Sequence, residues 1–565
     1  MHVEHQQGVG QQRRMDVDPV SRVTGGLALR TAVDLERGAV LEARLLATLH
    51  RGYEVILEGR DPRDAIFVSS RACGVCGGAH AITSALACEM TFGVAPPPLG
   101  ISARNWLSAT ENLIDLPAHL FLRAGPDFSE PIVRHTNPEL WARALKTAAP
   151  GIATHGFRLV SDIMTAMTAF SGSLYREALM MTRVAREAYV PAGGKYPHPQ
   201  TIVPGGLSAT IDPTVMNLTL LRVTKFFDYS RRVAAVWDDL VDFLHEADPS
   251  FREVGAGPKN FLDYGQWDDP HAYDGTFENA PAWGERRWST PGVVVDGHLR
   301  TTNLHHIDSR VEEFVDHSFY EDWTTGGGNG FPTDPGGNEI SARHPWNKRT
   351  LPQPGSPDLN GKYSWSTAAR WDGLVMETGA GARMWITALA GRQPHSRFVQ
   401  STGHSLRMGV PQAALPAGVA EWLVPDTWNA LERNRARAYS LMHSTLVAYE
   451  NVVNGLDLLR QGGASAGVFT PYEIPRDNRV GVGFWGGARG ATSHYMEIDD
   501  RVIRNYQILG PSTFTASPAD GAGNAGPCET AALATPLLST EQPERCIDLL
   551  RAIRSFDPCM ACASH

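Results

Sequence analysis

The spacing of hydrophobic positions changes along this 565-residue chain, and each spacing predicts a kind of element. Alternation over residues 15–35 predicts strands, whereas the spacing over 36–60 and over 78–92 predicts helices. The first 14 residues are polar and are expected to be mobile. Three longer stretches also have helical spacing, which predicts the core of a helix bundle. They are residues 157–189, 213–246 and 427–461.

Between about residues 250 and 375 the chain changes character, because Gly, Pro, Asp and Trp accumulate there. Within this region Val293–Leu299 predicts a β-hairpin that turns at Asp296-Gly297. We therefore predict a mainly α-helical protein with small peripheral β-sheets. A long-helix bundle would form its body, with a β- and loop-rich insertion at about 250–375. Residues 1–565 are expected to form a single large domain.

Composition argues against several classes of protein. The net charge of -10 disfavours a nucleic-acid partner, and no apolar run approaches the roughly 18 residues that cross a bilayer. Arg13-Arg14 is not a twin-arginine export signal, because no apolar segment follows it. Seven cysteines in so long a chain do not suggest a disulfide framework. They indicate metal ligation in a reducing compartment.

Two CxxC pairs lie near opposite ends of the chain, and a histidine follows each. The first pair is Cys73 and Cys76, and the second is Cys559 and Cys562. Thiolates are soft ligands that favour zinc, Cu(I), iron–sulfur clusters and, with enough sulfur, nickel. A structural zinc site with four cysteines is the simplest interpretation. Structural zinc motifs are usually compact in sequence, however, and these pairs are far apart.

The residues around both pairs resemble the large subunit of NiFe-hydrogenases, and further matching blocks follow in the order of that family. The blocks are Asp18-Pro-Val-Ser-Arg22, Arg51-Gly-Tyr-Glu54 with Gly59-Arg-Asp-Pro62, Arg71-x-Cys73-Gly-x-Cys76-x-x-x-His80, Ala488-Arg489-Gly490 with His494, Asn505-Tyr-Gln507 with Pro511-Ser-Thr513 and Ser517-Pro-x-Asp520, and Asp557-Pro-Cys559-x-x-Cys562-x-x-His565.

This resemblance implies a nickel–iron centre. Cys73 and Cys559 would be terminal nickel ligands, and Cys76 and Cys562 would bridge nickel to an iron that carries one carbon monoxide and two cyanides. Heterolytic cleavage of H2 requires a Lewis acid for the hydride and a base for the proton. The base would be a terminal thiolate, with Cys559 favoured, or a deprotonated Arg489, although arginine has a very high pKa.

The resemblance also implies roles for residues around the centre. Arg489 would lie over it beside Asp557 and Asp115. Two further residues would lie at the cofactor, Ala488 and Ser512, and the serine would donate a hydrogen bond to a cyanide. His80 would lie beside a thiolate. The magnesium ligands would be Glu54, His565 and the backbone carbonyl of Ile508. In the family a C-terminal peptide is removed after this histidine, so His565 would be a processed end. Without the resemblance, Asp115 and His119 would be interpreted as a polar pair on one helix.

The implied activity is oxidation of H2, with electrons passed to an iron–sulfur small subunit, because this chain lacks cysteines for separate clusters. We expect heterodimers that assemble into a higher oligomer, with a quinone as the eventual acceptor. We expect a cytoplasmic location, with any association with the membrane made through partners.

Three features depart from the usual pattern of the family. Thr24 stands where a glutamate usually relays protons, and Ala488 replaces a proline. The region at about 250–375 is bulkier than a minimal member needs. Together with Lys195–Gln200, these features resemble the actinobacterial-type, high-affinity, oxygen-tolerant uptake branch.

Three alternatives remain open at this point. A structural zinc scaffold would hold one zinc and neither nickel nor iron. A relative of the respiratory complex I subunit would have lost the metal ligands, which retention of all four cysteines disfavours. A hydrogenase of another class would reduce NAD or a deazaflavin directly and would have different partners.

Overall fold

The computed structural model describes residues 2–7, 12–392, 396–462, 466–538 and 546–564. The strands β1 to β17 are His2–Gln7, Gln12–Asp18, Leu27–Asp34, Ala39–Ala47, Ile202–Val203, Gly206–Leu207, Phe261–Asp263, Gly292–Val295, His298–Thr301, Val311–Phe314, Ala368–Trp371, Val399–Ser401, Ser405–Val410, Gly418–Leu423, Arg479–Gly487, Gly490–Asp499 and Val502–Leu509. The helices α1 to α19 are Tyr53–Leu57, Asp64–Ser70, Gly77–Phe92, Pro98–Pro117, Glu130–Thr136, Pro138–Ala144, Ile152–His155, Val160–Ala166, Ser173–Gly193, Pro213–Val223, Phe226–Ala247, Ala280–Glu285, Leu304–Asp308, Ala380–Leu389, Ala430–Gly462, Pro511–Thr515, Pro527–Leu533, Ile547–Ser555 and Met560–Ala563.

The centre of the fold is a group of long helices. Helix α4 packs along α15, α9 packs against α4, and α11 packs against α15. Every residue of α4 from Leu99 to Pro117 is buried, so this helix presents no face to solvent. A π-helical turn, Ala118–Ala124, continues α4 directly. The chain is about 42% helical with small antiparallel sheets, which confirms the predicted fold class.

The predicted long helices are present, with shifted or interrupted bounds. The stretch 157–189 is divided into α8 and α9, and the stretch 213–246 into α10 and α11. Asp212 caps α10, since its carboxylate accepts the N–H of Val215 at 2.8 Å. Helix α15 instead begins after Asn429, whose side chain accepts the N–H groups of Leu431 and Glu432.

The prediction of helix over residues 36–60 is wrong. Strand β4 occupies Ala39–Ala47 and pairs with β3, and only the short α1 follows it. This error arises because pairing with a neighbouring strand overrides the local spacing of apolar residues. Of the first 14 residues, 2–7 and 12–14 lie in β1 and β2, whereas 1 and 8–11 lie outside the described residues, so the expected mobility of this stretch stays a prediction. Strands β1 to β4 form one antiparallel sheet at the amino-terminal end.

The region at about 250–375 is rich in strands and loops, as predicted. Strands β7, β8 and β9 form one sheet, and β10 pairs with β11. The turn between β8 and β9 has positive φ angles at Asp296 and Gly297, 51° and 79°, as a type I′ hairpin turn requires. That this region is an insertion into a single domain stays a prediction.

Two structural features bring the chain ends together. The short segment before α19 pairs with the segment between β2 and β3, where Thr24 accepts the N–H of Met560 at 2.8 Å and donates its own to Pro558. Strands β15, β16 and β17 form a sheet that packs on α3. No helix in the part of the chain described here is both long and apolar enough to cross a membrane.

Candidate metal centre

The four predicted cysteines meet in one buried cluster. The Sγ atoms of Cys73 and Cys559 lie 3.3 Å apart, and those of Cys76 and Cys562 lie 3.1 Å apart. Within each pair the separations are 2.7 Å for Cys73 and Cys76 and 3.0 Å for Cys559 and Cys562. None of the four forms a disulfide within the described part of the chain, and their exposed fractions do not exceed 5%. Among the described residues they form the group arranged to bind a metal, with all sulfurs within 4.8 Å of one another.

Backbone hydrogen bonds hold the thiols in this arrangement. Cys73 lies between α2 and α3, where its sulfur accepts the N–H groups of Val75 and Cys76 at 3.4 and 3.1 Å. Such donors stabilise a thiolate. Cys559 donates its N–H to the Oγ of Ser512 at 2.8 Å, which leaves the serine O–H to donate elsewhere. This geometry suits the predicted role of Ser512.

Arg51 links the two thiol loops. Its Nη2 donates to the carbonyl of Ala561 at 2.6 Å and also to the carbonyl of Ala72. These carbonyls adjoin Cys562 and Cys73, so one guanidinium sets the spacing between the two ends of the chain. The sequence placed Arg51 in a matching block without assigning it this role.

Arg489 lies at the tip of the β15–β16 hairpin, between Ala488 and Gly490. Gly490 has φ +121°, and a Cβ there would lie 2.4 Å from the backbone nitrogen of Gly379, so only glycine fits this turn. Ala488 is buried at the same tip, and its predicted place at the cofactor stays a prediction.

The guanidinium of Arg489 bridges two buried carboxylates. Nη1 lies 3.1 Å from Asp115 and Nη2 lies 3.1 Å from Asp557. Burial opposes ionisation of Asp557, but the charges of Arg489 and Arg123 outweigh it and hold the pKa of this carboxyl well below its usual value. Burial dominates at Asp115 and raises its pKa to about 6 despite Arg489. Asp115 and Asp557 thus both pair with Arg489, and Arg123 also pairs with Asp557, while the role of Arg489 at the centre stays a prediction.

His119 does not pair with Asp115, so the interpretation from spacing alone is wrong. Its Nδ1 lies 3.3 Å from Asp557, and its Nε2 contacts the side-chain oxygen of Asn434 at 3.0 Å. The two residues lie close on one helix, but other elements supply stronger partners for each.

His80 contacts the cluster directly, as predicted. Its Nε2 lies 3.3 Å from the sulfur of Cys562, and its Nδ1 lies 3.0 Å from Nε2 of His494. His494 in turn contacts the hydroxyl of Tyr506 at 2.7 Å. A buried chain of hydrogen bonds thus orients the ring that faces the thiol.

Glu54, the predicted magnesium ligand, is buried beside the open edge of β17. Its Oε1 accepts the N–H of Ile508 at 2.9 Å. Because a strand residue directs its N–H and C=O to the same side, the carbonyl of Ile508 also faces Glu54. Lys348 contacts Glu54 and Glu313 at 3.3 and 3.0 Å.

The second carboxylate oxygen of Glu313, Oε1, is buried and has no hydrogen-bond partner among the described residues. This donor set of carboxylate and carbonyl oxygens suits a hard cation such as magnesium. His565, the third predicted ligand, lies outside the described residues.

The donor set of the thiol cluster suits nickel and iron. Four soft sulfurs converge in a dry pocket, and bringing four thiolates together requires a positive centre between them. Arg489 and Ser512 add donors on one side, which a closed structural zinc site does not need.

Comparisons with known proteins identify the family. The sequence profile of the family described as nickel-dependent hydrogenase matches residues 51–149 and 159–565. The uptake hydrogenase large subunit of Rhodobacter capsulatus is 28% identical over 610 residues, covering 98% of this chain and 95% of the relative. The quinone-reactive Ni/Fe-hydrogenase large chain of Wolinella succinogenes is 29% identical over 592 residues, covering 98% and 96%.

A solved structure of an actinobacterial-type NiFe-hydrogenase from Ralstonia eutropha H16 superposes with a TM-score of 0.95 at 37% identity, covering 98% of this chain and 100% of that one. These matches confirm the predicted enzyme and its nickel–iron cofactor, and they do not support the zinc scaffold or the NAD- and deazaflavin-coupled alternatives. The chain belongs to the nickel-dependent hydrogenase family, as a large subunit that acts on H2.

Proposed function

We propose that this chain is the catalytic subunit of an H2-oxidising uptake hydrogenase in which Cys73 and Cys559 are terminal nickel ligands and Cys76 and Cys562 bridge to iron. The observation that carries this assignment is the convergence of four buried thiols beneath Arg489. The metal centre supplies the Lewis acidity and the redox couple that cleavage of H2 requires. The iron ligands, carbon monoxide and cyanide, belong to this proposal, as does magnesium at Glu54, Ile508 and His565.

The base that accepts the first proton is a terminal thiolate rather than Arg489. Burial alone would lower the pKa of Arg489, but the carboxylates of Asp557 and Asp115 raise it well above its ordinary value. A guanidinium bridging two carboxylates keeps its proton and serves as a fixed positive charge. Asp115, Asp557 and Arg123 hold it there, and Ser512 is placed to donate toward a cyanide.

Electrons leave through an iron–sulfur small subunit. The other cysteines, Cys88, Cys528 and Cys546, are buried and form no second metal group among the described residues. The matched relatives carry the name large subunit or large chain, which implies a partner. A quinone acceptor is supported by the name of the Wolinella relative. We also propose that the heterodimers assemble into a higher oligomer and contact the membrane through partners.

The likeness to the actinobacterial-type enzyme supports placing this chain in the oxygen-tolerant uptake branch. The whole chain would act as one catalytic domain, since residues at 250–375 supply Lys348 and Glu313 to the site of Glu54.

Infrared spectra of the purified native complex, first under H2 and then under air, test this function. Bands of iron-bound carbon monoxide and cyanide that shift with the gas are expected. Their absence from a nickel-containing sample from the native host would overturn the proposed centre and restore a plain thiolate metal site.

Thr24→Ala is expected to retain most of the H2-oxidation activity. Thr24 contacts the Cys559 segment through its backbone, which alanine preserves, and its hydroxyl has no titratable proton near neutral pH. Turnover of the purified complex, normalised to nickel, checks this. A loss of about 100-fold or more, the size expected for a proton-transfer group, would place the hydroxyl on the proton path.

A further inference from the structure

A buried carboxyl group lies behind the first thiol pair and has no role in the proposed function. Glu111 lies on α4, one turn before Asp115, and its side chain is only 3% exposed. Its Oε1 accepts the N–H of Gly78 at 3.1 Å, at the first turn of α3, which begins just after Cys76. Glu111 therefore contacts the first turn of the helix that directly follows the first thiol pair.

Glu111 differs from the buried carboxylates Glu89 and Asp127 because it forms no ion pair within the described part of the chain. Glu89 pairs with Arg104 at 2.6 Å and Asp127 pairs with Arg554 at 2.8 Å, and each arginine opposes the rise in carboxyl pKa that burial causes. A buried carboxyl without a cation favours its neutral, protonated form.

Most of the influences on Glu111 raise the pKa of its carboxyl group. Burial raises the pKa of Glu111 well above its usual value, and the negative charges of Asp115 and Cys73 raise it further. The N–H of Gly78 and the distant charge of Arg489 lower it only in part. These surroundings favour the protonated form of Glu111 over its carboxylate.

A tyrosine lies beside the same glycine, and its neighbour Tyr196 donates to the carbonyl of Val75 in the first thiol loop. A Cβ at Gly78 would lie 2.5 Å from Oε2 of Glu111 and 2.8 Å from the hydroxyl of Tyr189. Both oxygens therefore lie close to this glycine. The ring of Tyr189 packs edge-on against Tyr196, with centroids 5.5 Å apart. Tyr196 belongs to the segment 194–200, which reaches the surface at exposed Lys195.

We propose that Glu111 relays protons from the thiol cluster toward Tyr189 and the surface at residues 194–200. This inference rests on the proposed function, because oxidation of one H2 yields two protons and two electrons at a site closed to water. The electrons leave through the iron–sulfur partner. Each proton enters one carboxyl oxygen of Glu111 as the proton on the group leaves outward, so the carboxyl ends the step neutral.

Thr24 does not offer this chemistry, since a hydroxyl cannot store a proton near neutral pH. Its neighbour Gly25 is exposed, whereas Glu111 lies inside the fold. The arrangement of Glu111 and Tyr189 requires a glycine at Gly78, because any side chain there would push the carboxyl and the tyrosine hydroxyl apart.

The test uses the native complex with Glu111→Gln, which keeps the shape and removes the acid. Nickel-normalised turnover is expected to fall by about 100-fold, in the range of a lost proton-transfer group. The carbon monoxide and cyanide bands are expected to remain. The difference infrared spectrum between H2 and air should contain a carboxylic acid band that shifts in D2O in the wild-type complex and is lost in the variant.

Glu529→Gln is the matched control. Glu529 is a buried carboxyl at the amino-terminal sheet, where it accepts the N–H of Leu45 and the hydroxyl of Tyr363. Burial raises its pKa to about 7, so it also carries an acid proton. Turnover and the gas-dependent acid band should survive in this variant.

An unchanged turnover and an unchanged acid band in Glu111→Gln would overturn the relay. Absence of the carbon monoxide and cyanide bands in the wild-type complex would instead overturn the proposed function. If the Glu111→Gln complex fails to assemble, turnover and the acid band are measured in Glu111→Asp in its place. A retained, shifted acid band with slower turnover supports the relay, and wild-type turnover with a wild-type band refutes it.

Discussion

Cys559→Ser is expected to abolish H2 oxidation and to reduce the nickel content of the purified complex. Cys559 supplies one of four sulfurs that lie within 4.8 Å of one another. A hydroxyl is a harder and more weakly acidic ligand than a thiol, so it binds nickel poorly. The variant also loses the thiolate that we propose as the base, so it loses both ligation and proton acceptance.

Cys88→Ser provides the matched control for this substitution. Cys88 is also fully buried, and its sulfur donates to the carbonyl of Pro62 at 3.5 Å. We expect normal nickel content, with some loss of stability from the buried hydroxyl. Metal analysis and H2-dependent dye reduction measure both effects. A Cys559→Ser complex with full nickel and full turnover would show that the centre is not at these thiols.

Arg489→Met is expected to lower turnover by about 100-fold or more, the size typical of removing a preorganised charge from an active site. It also leaves Asp115 without its ion-pair partner at 3.1 Å, while Asp557 keeps Arg123 at 3.0 Å. Breaking a buried ion pair in this way costs about 3–5 kcal/mol of stability. The complex should therefore be both slower and less stable to denaturant.

Arg104→Met separates these two effects. Arg104 is buried and paired with Glu89, and it lies outside the thiol cluster. It should lose a similar amount of stability, yet keep the turnover per nickel of the wild type. Denaturant unfolding and gas-dependent infrared bands report on stability and on the centre independently. Equal turnover in Arg489→Met and Arg104→Met would remove Arg489 from the chemistry.

The thiol cluster could be predicted from the sequence because its ligands are rare residues at a diagnostic spacing. The Asp296-Gly297 turn and the Asp212 cap were predictable for a related reason, since each depends on backbone preferences of two or three adjacent residues. Such local signals do not require knowledge of the partner element.

Other features depend on partners that the sequence does not reveal. Strand β4 has an apolar spacing that also fits a helix, and only its pairing with β3 decides between them. Helix α4 is buried on all sides, so its periodicity cannot show which face carries Glu111 and Asp115. Arg51 and Arg123 carry no recognisable spacing, because their partners lie 510 and 434 residues away in the chain.

The contact between Cys73 and Cys559 spans 486 residues, and this separation has a consequence for how the fold is stabilised. Joining two points so far apart costs loop-closure entropy on the order of 5 kcal/mol, and a metal bound at both points offsets that cost as a cross-link does. The helix bundle in between has its own core and does not need the link. The metal centre thus cross-links the two ends of the polypeptide, so that binding of the cofactor and closure of the tertiary structure stabilise each other.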